Sequence, residues 1–546
     1  MVSSNIKEDT GLSRQKSGSF LGGTFLLMLS GIVVKVIGAF FSIPLANLYG
    51  ADGNDIFISA YYVYSAMYVI SSAGLPVAVS KMVSEARALG RGREVQRIAK
   101  VAVCTFLILG AALSLTMVLL VDPICTLIGS SCRYAILTVA PTIFFTCVVS
   151  AVRGYYQGLS NMVPTAVSQV IEAMGKLVFG LGLAWYLMDA GYTLDIVVAG
   201  AIGGVTLGTV FSALFVIVYA LRHREQMPAA EGPCRPGSVI LKELVGLAIP
   251  ITVGASVFSV SSLIDTFMVK LRLQEGCLMT DAAAGYTYGA YGFAVKLFNL
   301  PLTLVTAIGV SLIPAISSAL ALRQSDKTRA LTESAFRLTG LLAFPCAAGL
   351  AVIPEPILNL LFGSQPEACA VAAPLLRLIA PAVFLAGMVS VTNPVLQAMG
   401  KVNLPVLSMA TGALVKIVCN YVLVGLPEVG IHGAPISTCL CYLTILCINL
   451  WHIRREKVPF SLTRSFAKPL LCAVLMGVFV GLLFDPLTNL LGSGRLTEAL
   501  AVLLTVGLAA VFYLLLLVAV RALPREDVMM LPKGEKLAKM LKLKGK

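Results

Sequence analysis

Residues 156–164 read Tyr156-Gln157-Gly158-Leu159-Ser160-Asn161-Met162-Val163-Pro164, and an apolar run follows that carries Ser168, Gly175 and Lys176. About 240 positions later the chain says nearly the same thing: Leu396-Gln397-Ala398-Met399-Gly400-Lys401-Val402-Asn403-Leu404-Pro405, then Ser408, Ala413 and Lys416. Gln157 pairs with Gln397, Pro164 with Pro405, Ser168 with Ser408 and Lys176 with Lys416, with one residue of slippage between Gln and Pro. Each copy reads as a short polar turn, a proline at a helix start, and an apolar helix with one lysine in its middle.

Composition explains why these helices are apolar. Of 546 residues 58% are hydrophobic and only 12% charged, and mean hydropathy is +0.90. A soluble globule carries about 25% charge, so the chain reads as an all-α polytopic membrane protein. The first twenty residues are polar (Lys7, Glu8, Asp9, Arg14, Lys16) and the apolar run after them is too long for a signal-peptide core, so no cleavable leader is expected. About fourteen apolar runs follow, near or above the ~20 residues that cross a bilayer: 22–48, 57–80, 99–121, 134–156, 163–187, 195–221, 240–270, 286–320, 332–353, 370–399, 404–424, 433–453, 467–488 and 497–522. Prolines within or bordering them (Pro44, Pro76, Pro141, Pro250, Pro301, Pro314, Pro381) predict bends.

When alternate loops are assigned to opposite sides, the side holding the N-terminus takes 32 of the 41 Lys and Arg, the other side four, and the spans five. By the positive-inside rule both termini are cytoplasmic, in a bacterial plasma membrane. The net charge of +14 is then topology, not a nucleic-acid footprint.

The duplication extends further. Gly74-Leu75-Pro76-Val77-Ala78-Val79-Ser80 closes the second span, and Ser311-Leu312-Ile313-Pro314-Ala315-Ile316-Ser317 closes the eighth. Six spans per copy, an even number, give two lobes of the same orientation, related by an axis along the membrane normal with the transport path between them. The expected organisation is a cytoplasmic N-terminal tail (1–21), an N-lobe (22–221), a linker (222–239), a C-lobe (240–453), two appended spans (454–522) and a basic cytoplasmic tail (523–546). The stretch Lys533 to Lys546 sets six lysines among Leu and Met, a short amphipathic segment suited to the anionic inner leaflet.

These residues resemble a known family. The two-lobe, fourteen-span pattern with Gln157-Gly158-Leu159-Ser160-Asn161-Met162-Val163-Pro164 after the fourth span is similar to the multidrug/oligosaccharidyl-lipid/polysaccharide exporter superfamily. Ala73 to Lys81 and Leu263-Ile264-Asp265-Thr266 are similar to its polysaccharide-biosynthesis branch, which includes stage V sporulation protein B and the lipid II flippases. The resemblance covers roughly residues 20–520. It implies a transporter, not an enzyme, that turns a polyprenyl-pyrophosphate-linked saccharide from the inner to the outer leaflet by alternating access.

The ionisable residues expected within spans are Lys35, Lys176, Lys270, Lys296, Lys416, Glu172 and Asp265. Each costs at least about 2.5 kcal/mol at mid-bilayer, so each calls for a partner or a wet cavity. In sum the interior is three charges positive, which suits an anion such as a pyrophosphate. Lys35 (first span) and Lys296 (eighth span) are the expected clamp, with Lys176 and Lys416 as further substrate-binding candidates. Lipid II flippases, by resemblance, use cations in the first, second and eighth spans. Here two of these are Lys instead of Arg, and the second span offers only Tyr61, Tyr62 and Tyr64.

Glu172 and Lys176, spaced i, i+4, suit a local ion pair. The resemblance also implies a coupling ion, Na⁺ or H⁺, on Asp265 and Asn420, with Glu172 a further candidate; Lys416 stands one turn from Asn420 and would repel such an ion. Lys270, at the outer end of its span, is expected to snorkel. Cys125 and Cys132 share an outer loop, read as reduced small hydrophobes. Partners are expected to be the lipid-linked saccharide and membrane lipids, with no nucleic acid, and the chain is expected to act as a monomer. The alternative is a cation-coupled multidrug exporter of the same superfamily, which needs acidic groups that only Glu172 and Asp265 supply. A membrane-embedded transferase would need clustered Asp or His, and the sequence has no such cluster.

The charge asymmetry fixes the first test. Gly92→Cys and Phe460→Cys, in a background without reactive native thiols, are expected to resist an impermeant thiol reagent in intact cells and to react once the membrane is opened. Labelling in intact cells would invert the topology.

Overall fold

The computed structural model describes residues 5–128, 131–223, 232–321, 324–401, 403–456, 461–492, 494–520 and 522. The tail Lys533 to Lys546 and the linker residues 224–231 lie outside the described residues. Among the described residues the structure is helical: α1 (Asn5–Ser72), α2 (Gly74–Ala88), α3 (Gly92–Leu119), α4 (Val121–Ile128), α5 (Arg133–Gly158), α6 (Val163–Asp189), α7 (Leu194–Arg222), α8 (Gly237–Glu275), α9 (Asp281–Ala321), α10 (Ser325–Val352), α11 (Pro354–Phe362), α12 (Pro366–Ile379), α13 (Pro381–Ala398), α14 (Asn403–Val424), α15 (Gly433–Arg455), α16 (Leu462–Leu491) and α17 (Arg495–Ala519). Among the described residues, eleven helices are long and apolar enough to cross a membrane. One of them, Leu29–Ala88, has the length of two crossings, and Gly50, at φ 68 and ψ −162, breaks α1 between them. A left-handed φ of this kind is open to glycine at little cost. Helices α8 and α9, of 39 and 41 residues, occupy the expected seventh and eighth spans.

Proline sets the other interruptions. Pro76 cannot donate to the carbonyl of Ser72, and the helix divides at Ala73. Pro381 does the same at Ala380, so the expected tenth span 370–399 is two helices, α12 and α13.

The duplicated turns match bond for bond. After α5, Ser160 donates its amide to Gln157 O (2.9 Å) and Asn161 to Tyr156 O (2.9 Å), while after α13, Gly400 donates to Gln397 O (2.9 Å) and Lys401 to Leu396 O (3.0 Å). Ser160 and Gly400 both have positive φ, the left-handed residue that ends a helix while satisfying its last carbonyls. Ser168 and Ser408 then each donate a hydroxyl to the carbonyl three residues earlier, at 3.0 Å. Gln157 donates across its turn to Thr165 Oγ1 at 3.1 Å, a packing role.

The chain packs as two compact units, Met1–Tyr49 with Gly53–Phe267, and Gly50–Asp52 with Met268–Lys546. The division falls inside α8. In the first unit, the end of the linker is tied to the start of α3. Buried Glu94 accepts from Arg91 (3.5 Å) and from Arg235, which also donates to Glu243 at 2.7 Å. A buried carboxylate persists only with such partners.

The tightest helix contact is α6 on α7. A β-carbon on Gly175 would lie 2.4 Å from Gly208 Cα, and one on Gly204 would lie 2.1 Å from Gly180 N. Backbones meet directly, the small-residue packing that membrane helices use where apolar burial cannot draw them together. Gly208→Leu is therefore expected to lower the melting temperature of the detergent-solubilised protein by separating the helices, an overpacking cost of about 1–3 kcal/mol or more. Gly182→Ala, with open space around the new methyl, should leave it unchanged.

Candidate functional site

In the first unit a cluster of interior polar residues lies on α1, α5, α6 and α7. Aromatic side chains of α1 form a ladder in which each ring lies within 6.1 Å of the next: Phe41 on Phe57, Phe57 on Tyr61, Tyr61 on Tyr64 and Tyr64 on Tyr68. The spacing of three or four residues puts Phe57, Tyr61, Tyr64 and Tyr68 on one helix face. Lys176 of α6 reaches this ladder. Its Nζ stands 4.6 Å from the Phe41 ring centroid and 5.1 Å from that of Tyr61. Each ring offers the ammonium about 0.5–2 kcal/mol.

The expected Glu172–Lys176 pair is not formed. Glu172 is held by Arg153 of α5, Nη2 to Oε2 at 3.2 Å. Arg153 also donates from Nε to Ser168 Oγ at 2.8 Å and from Nη2 to Ser212 Oγ of α7 at 3.4 Å, and Ser212 donates to Ser168 O at 3.1 Å. A guanidinium from a neighbouring helix, with five donors in a planar fork, satisfies the carboxylate and two hydroxyls at once, whereas the lysine would offer a single point charge. Tyr64 and Tyr68 lie within electrostatic reach of the same carboxylate. Arg153 is the residue of this polar cluster that sequence reasoning missed. It stands near the C-terminal end of its span and is counted there among the loop cations, yet it is 9% exposed. Its signal was a cation preceding Ser168 and Glu172 in the better-marked copy of the repeat.

Lys35 lies on α1 on a face exposed together with Ile32 and Val36. Asp265 is buried in α8.

In the second unit Lys296 is half-buried on α9, its Nζ 5.7 Å from the Phe293 ring centroid. Lys416 is half-buried in α14 and Asn420, one turn on, is fully buried. Lys270 corrects its expectation. It does not snorkel but is 1% exposed, with Nζ 5.7 Å from the Tyr288 ring centroid, because α8 continues to Glu275 and carries this position into packed protein. At the repeat position of Arg153 stands Asn393, which accepts from Asn449 Nδ2 at 2.7 Å; at that of Glu172 stands Gly412, packed on Ile445. The ion pair thus belongs to one copy only, while the lysine belongs to both. Cys125 and Cys132 stand side by side without a disulfide, with Sγ atoms 3.4 Å apart.

The family model described as lipid II flippase MurJ matches residues 103–501. Stage V sporulation protein B of Bacillus subtilis (strain 168) is 24% identical over 528 residues, covering 94% of this chain and 98% of that protein. Lipid II flippase MurJ of the same organism is 24% identical over 533 residues, covering 91% and 95%. Among solved structures, lipid II flippase MurJ in an inward closed conformation aligns with a TM-score of 0.67 at 13% identity, covering 91% of this chain and 97% of that one. An inward-facing multidrug resistance MATE family transporter of the MOP superfamily aligns at 0.62 and 15%, covering 77% and 98%. The two structural matches share the fold; the family match, running through both copies of the repeat, carries more, and by it this chain belongs to the lipid II flippase MurJ family.

Proposed function

We propose that this protein moves a polyprenyl-pyrophosphate-linked saccharide, a precursor of the cell wall or of a surface polysaccharide, from the cytoplasmic to the outer leaflet by alternating access. Both termini are cytoplasmic in this reading. Membership of a flippase family supports the class of cargo. The observation that carries the charge argument is the pairing of Glu172 with Arg153. It takes away the carboxylate that would have neutralised Lys176, and leaves the Lys176 ammonium against aromatic faces. A positive group held by rings and not by an anion is available to a phosphate, which binds lysine as a point charge. Lys35 and Lys296 complete the proposed diphosphate contacts, and Lys416 is the equivalent of Lys176 in the other copy.

Export of cationic drugs fits less well. Such a cargo needs a carboxylate, and Glu172 is already bonded to a guanidinium. Likeness to a drug transporter rests on fold at 15% identity. The coupling ion is proposed to be Na⁺ or H⁺, with Asp265 and Asn420 as the residues that serve it, and the basic tail is proposed to rest on the inner leaflet.

Flipping of a polyprenyl-pyrophosphate saccharide by the purified protein in proteoliposomes is expected to fall about tenfold or more in each of Lys35→Gln, Lys176→Gln and Lys296→Gln. Arginine at the same positions should restore part of it. Lys242→Gln, at an exposed residue in the first turns of α8, is the control and should be silent. Unmodified rates in all three Gln variants would sink the anion reading.

Asp265→Asn separates coupling from packing. A coupling role predicts a folded variant that still binds lipid but whose transport no longer responds to an imposed Na⁺ or proton gradient. Retention of full gradient dependence would remove Asp265 from the coupling step.

A further inference from the structure

A cavity of about 500 Å³ lies in the second unit, where the α16–α17 hairpin meets α11. Its walls include Glu355, Asn359, Phe484, Arg495, Glu498 and Val502. These are the helix ends opposite the basic stretch that precedes α16, so in the proposed topology the cavity opens at the outer leaflet. Beside it Leu490 and Leu496 are 82% and 86% exposed, apolar side chains turned to the surroundings at the ends of α16 and α17. The cavity therefore stands at a water-lipid boundary.

Its charges are arranged for a ligand. Among the described residues, the Arg495 guanidinium forms no ion pair with either carboxylate. It lies instead along the backbone of Gly363, where an added β-carbon would come within 3.1 Å of its Nη2. Asn359 Oδ1 is buried and accepts no hydrogen bond, which costs about 1–3 kcal/mol unless a donor arrives. One cation, two carboxylates and an unsatisfied acceptor above an apolar wall of Phe484 and Val502 fit one chemistry: an anion linked to a hydrogen-bonding ammonium, carried on a hydrocarbon.

We propose that this cavity binds the phosphoethanolamine headgroup of an outer-leaflet phospholipid. The phosphate lies on Arg495, the primary ammonium donates to Asn359 Oδ1 and to Glu355 or Glu498, and the first methylenes cover Phe484 and Val502. A quaternary ammonium has no N–H for Asn359, and an anionic glycerol headgroup meets two carboxylates with no cation to offer them. The site is separate from the residues proposed to hold the cargo, and its test does not read transport.

The full-length protein, in nanodiscs of equal parts phosphatidylethanolamine, phosphatidylcholine and phosphatidylglycerol, is released into native mass spectrometry and the retained lipid is identified. Phosphatidylethanolamine should be retained preferentially. Arg495→Gln and the double variant Glu355→Gln/Glu498→Gln should each lower its retention about tenfold, Arg495→Lys should recover part of it, and Asn359→Leu should erase the preference over phosphatidylcholine. Soluble phosphoethanolamine, lacking the chains, should displace the lipid only weakly. Melting temperature reports folding, and because Arg495 and the two glutamates are exposed the variants should melt with the parent. Equal retention of the three lipids, preference for phosphatidylglycerol, retention indifferent to Arg495→Gln, or displacement by soluble phosphoethanolamine at the lipid's own concentration would each overturn the proposal.

Discussion

An ion pair inside an apolar helix bundle has to be nearly complete to exist at all. The 3.2 Å contact between Arg153 and Glu172, closed by Ser168 and Ser212, meets that requirement in the first unit. Removing either partner would strand a charge, which in buried pairs costs about 3–5 kcal/mol. The rest of the polar interior follows from it. Once the carboxylate is committed to Arg153, Lys176 has rings for neighbours, and the side chains around it are those of α1, whose aromatic face runs from Phe41 to Tyr68. A solvated cation would gain little from such a wall, whereas a desolvated one gains more and still exposes charge to an incoming anion.

Much of the architecture was legible because bilayers read sequence coarsely. Hydropathy over twenty residues and the repeated Gln-to-Pro turn are long-range signals, and the helices fall where they indicate. The interruptions were legible in kind but not in place. Pro381 was seen as a bend, yet it divides a span in two, since a proline that starts one helix also stops another. Gly50 gave no sequence warning, being one of 48 glycines whose φ only the fold decides.

Side-chain partners were less legible, for a physical reason. The reading of Glu172 with Lys176 counted neighbours along one helix, where i, i+4 pairs are worth about 0.2–0.5 kcal/mol. A bidentate-capable arginine from the adjacent helix outcompetes that easily, and nothing in a linear sequence says which helices touch. Lys270 failed in the same way. Its distance from the end of an apolar run suggested a snorkelling side chain, but the helix extends beyond the run and the residue is packed. Lysine positions in the middle of spans, by contrast, were correctly placed within helices because depth is a property of the run itself.

The turns after α5 and α13 are the same structure, yet the positions they present are charged in one copy and neutral in the other: Arg153 and Glu172 against Asn393 and Gly412. From this follows a constraint on how the two halves can have diverged. Between a neutral and an ionic version lie two single-residue intermediates, and they are not equal. Arginine without the carboxylate still has two serine hydroxyls to donate to, whereas glutamate without the arginine has no cation from α5. The order of substitution is thereby biased, with arginine the first to arrive and the last to leave. The halves of this duplicated fold are interchangeable in backbone but not in history, and exchanging Arg153 with Asn393 would recreate the intermediate that was disfavoured.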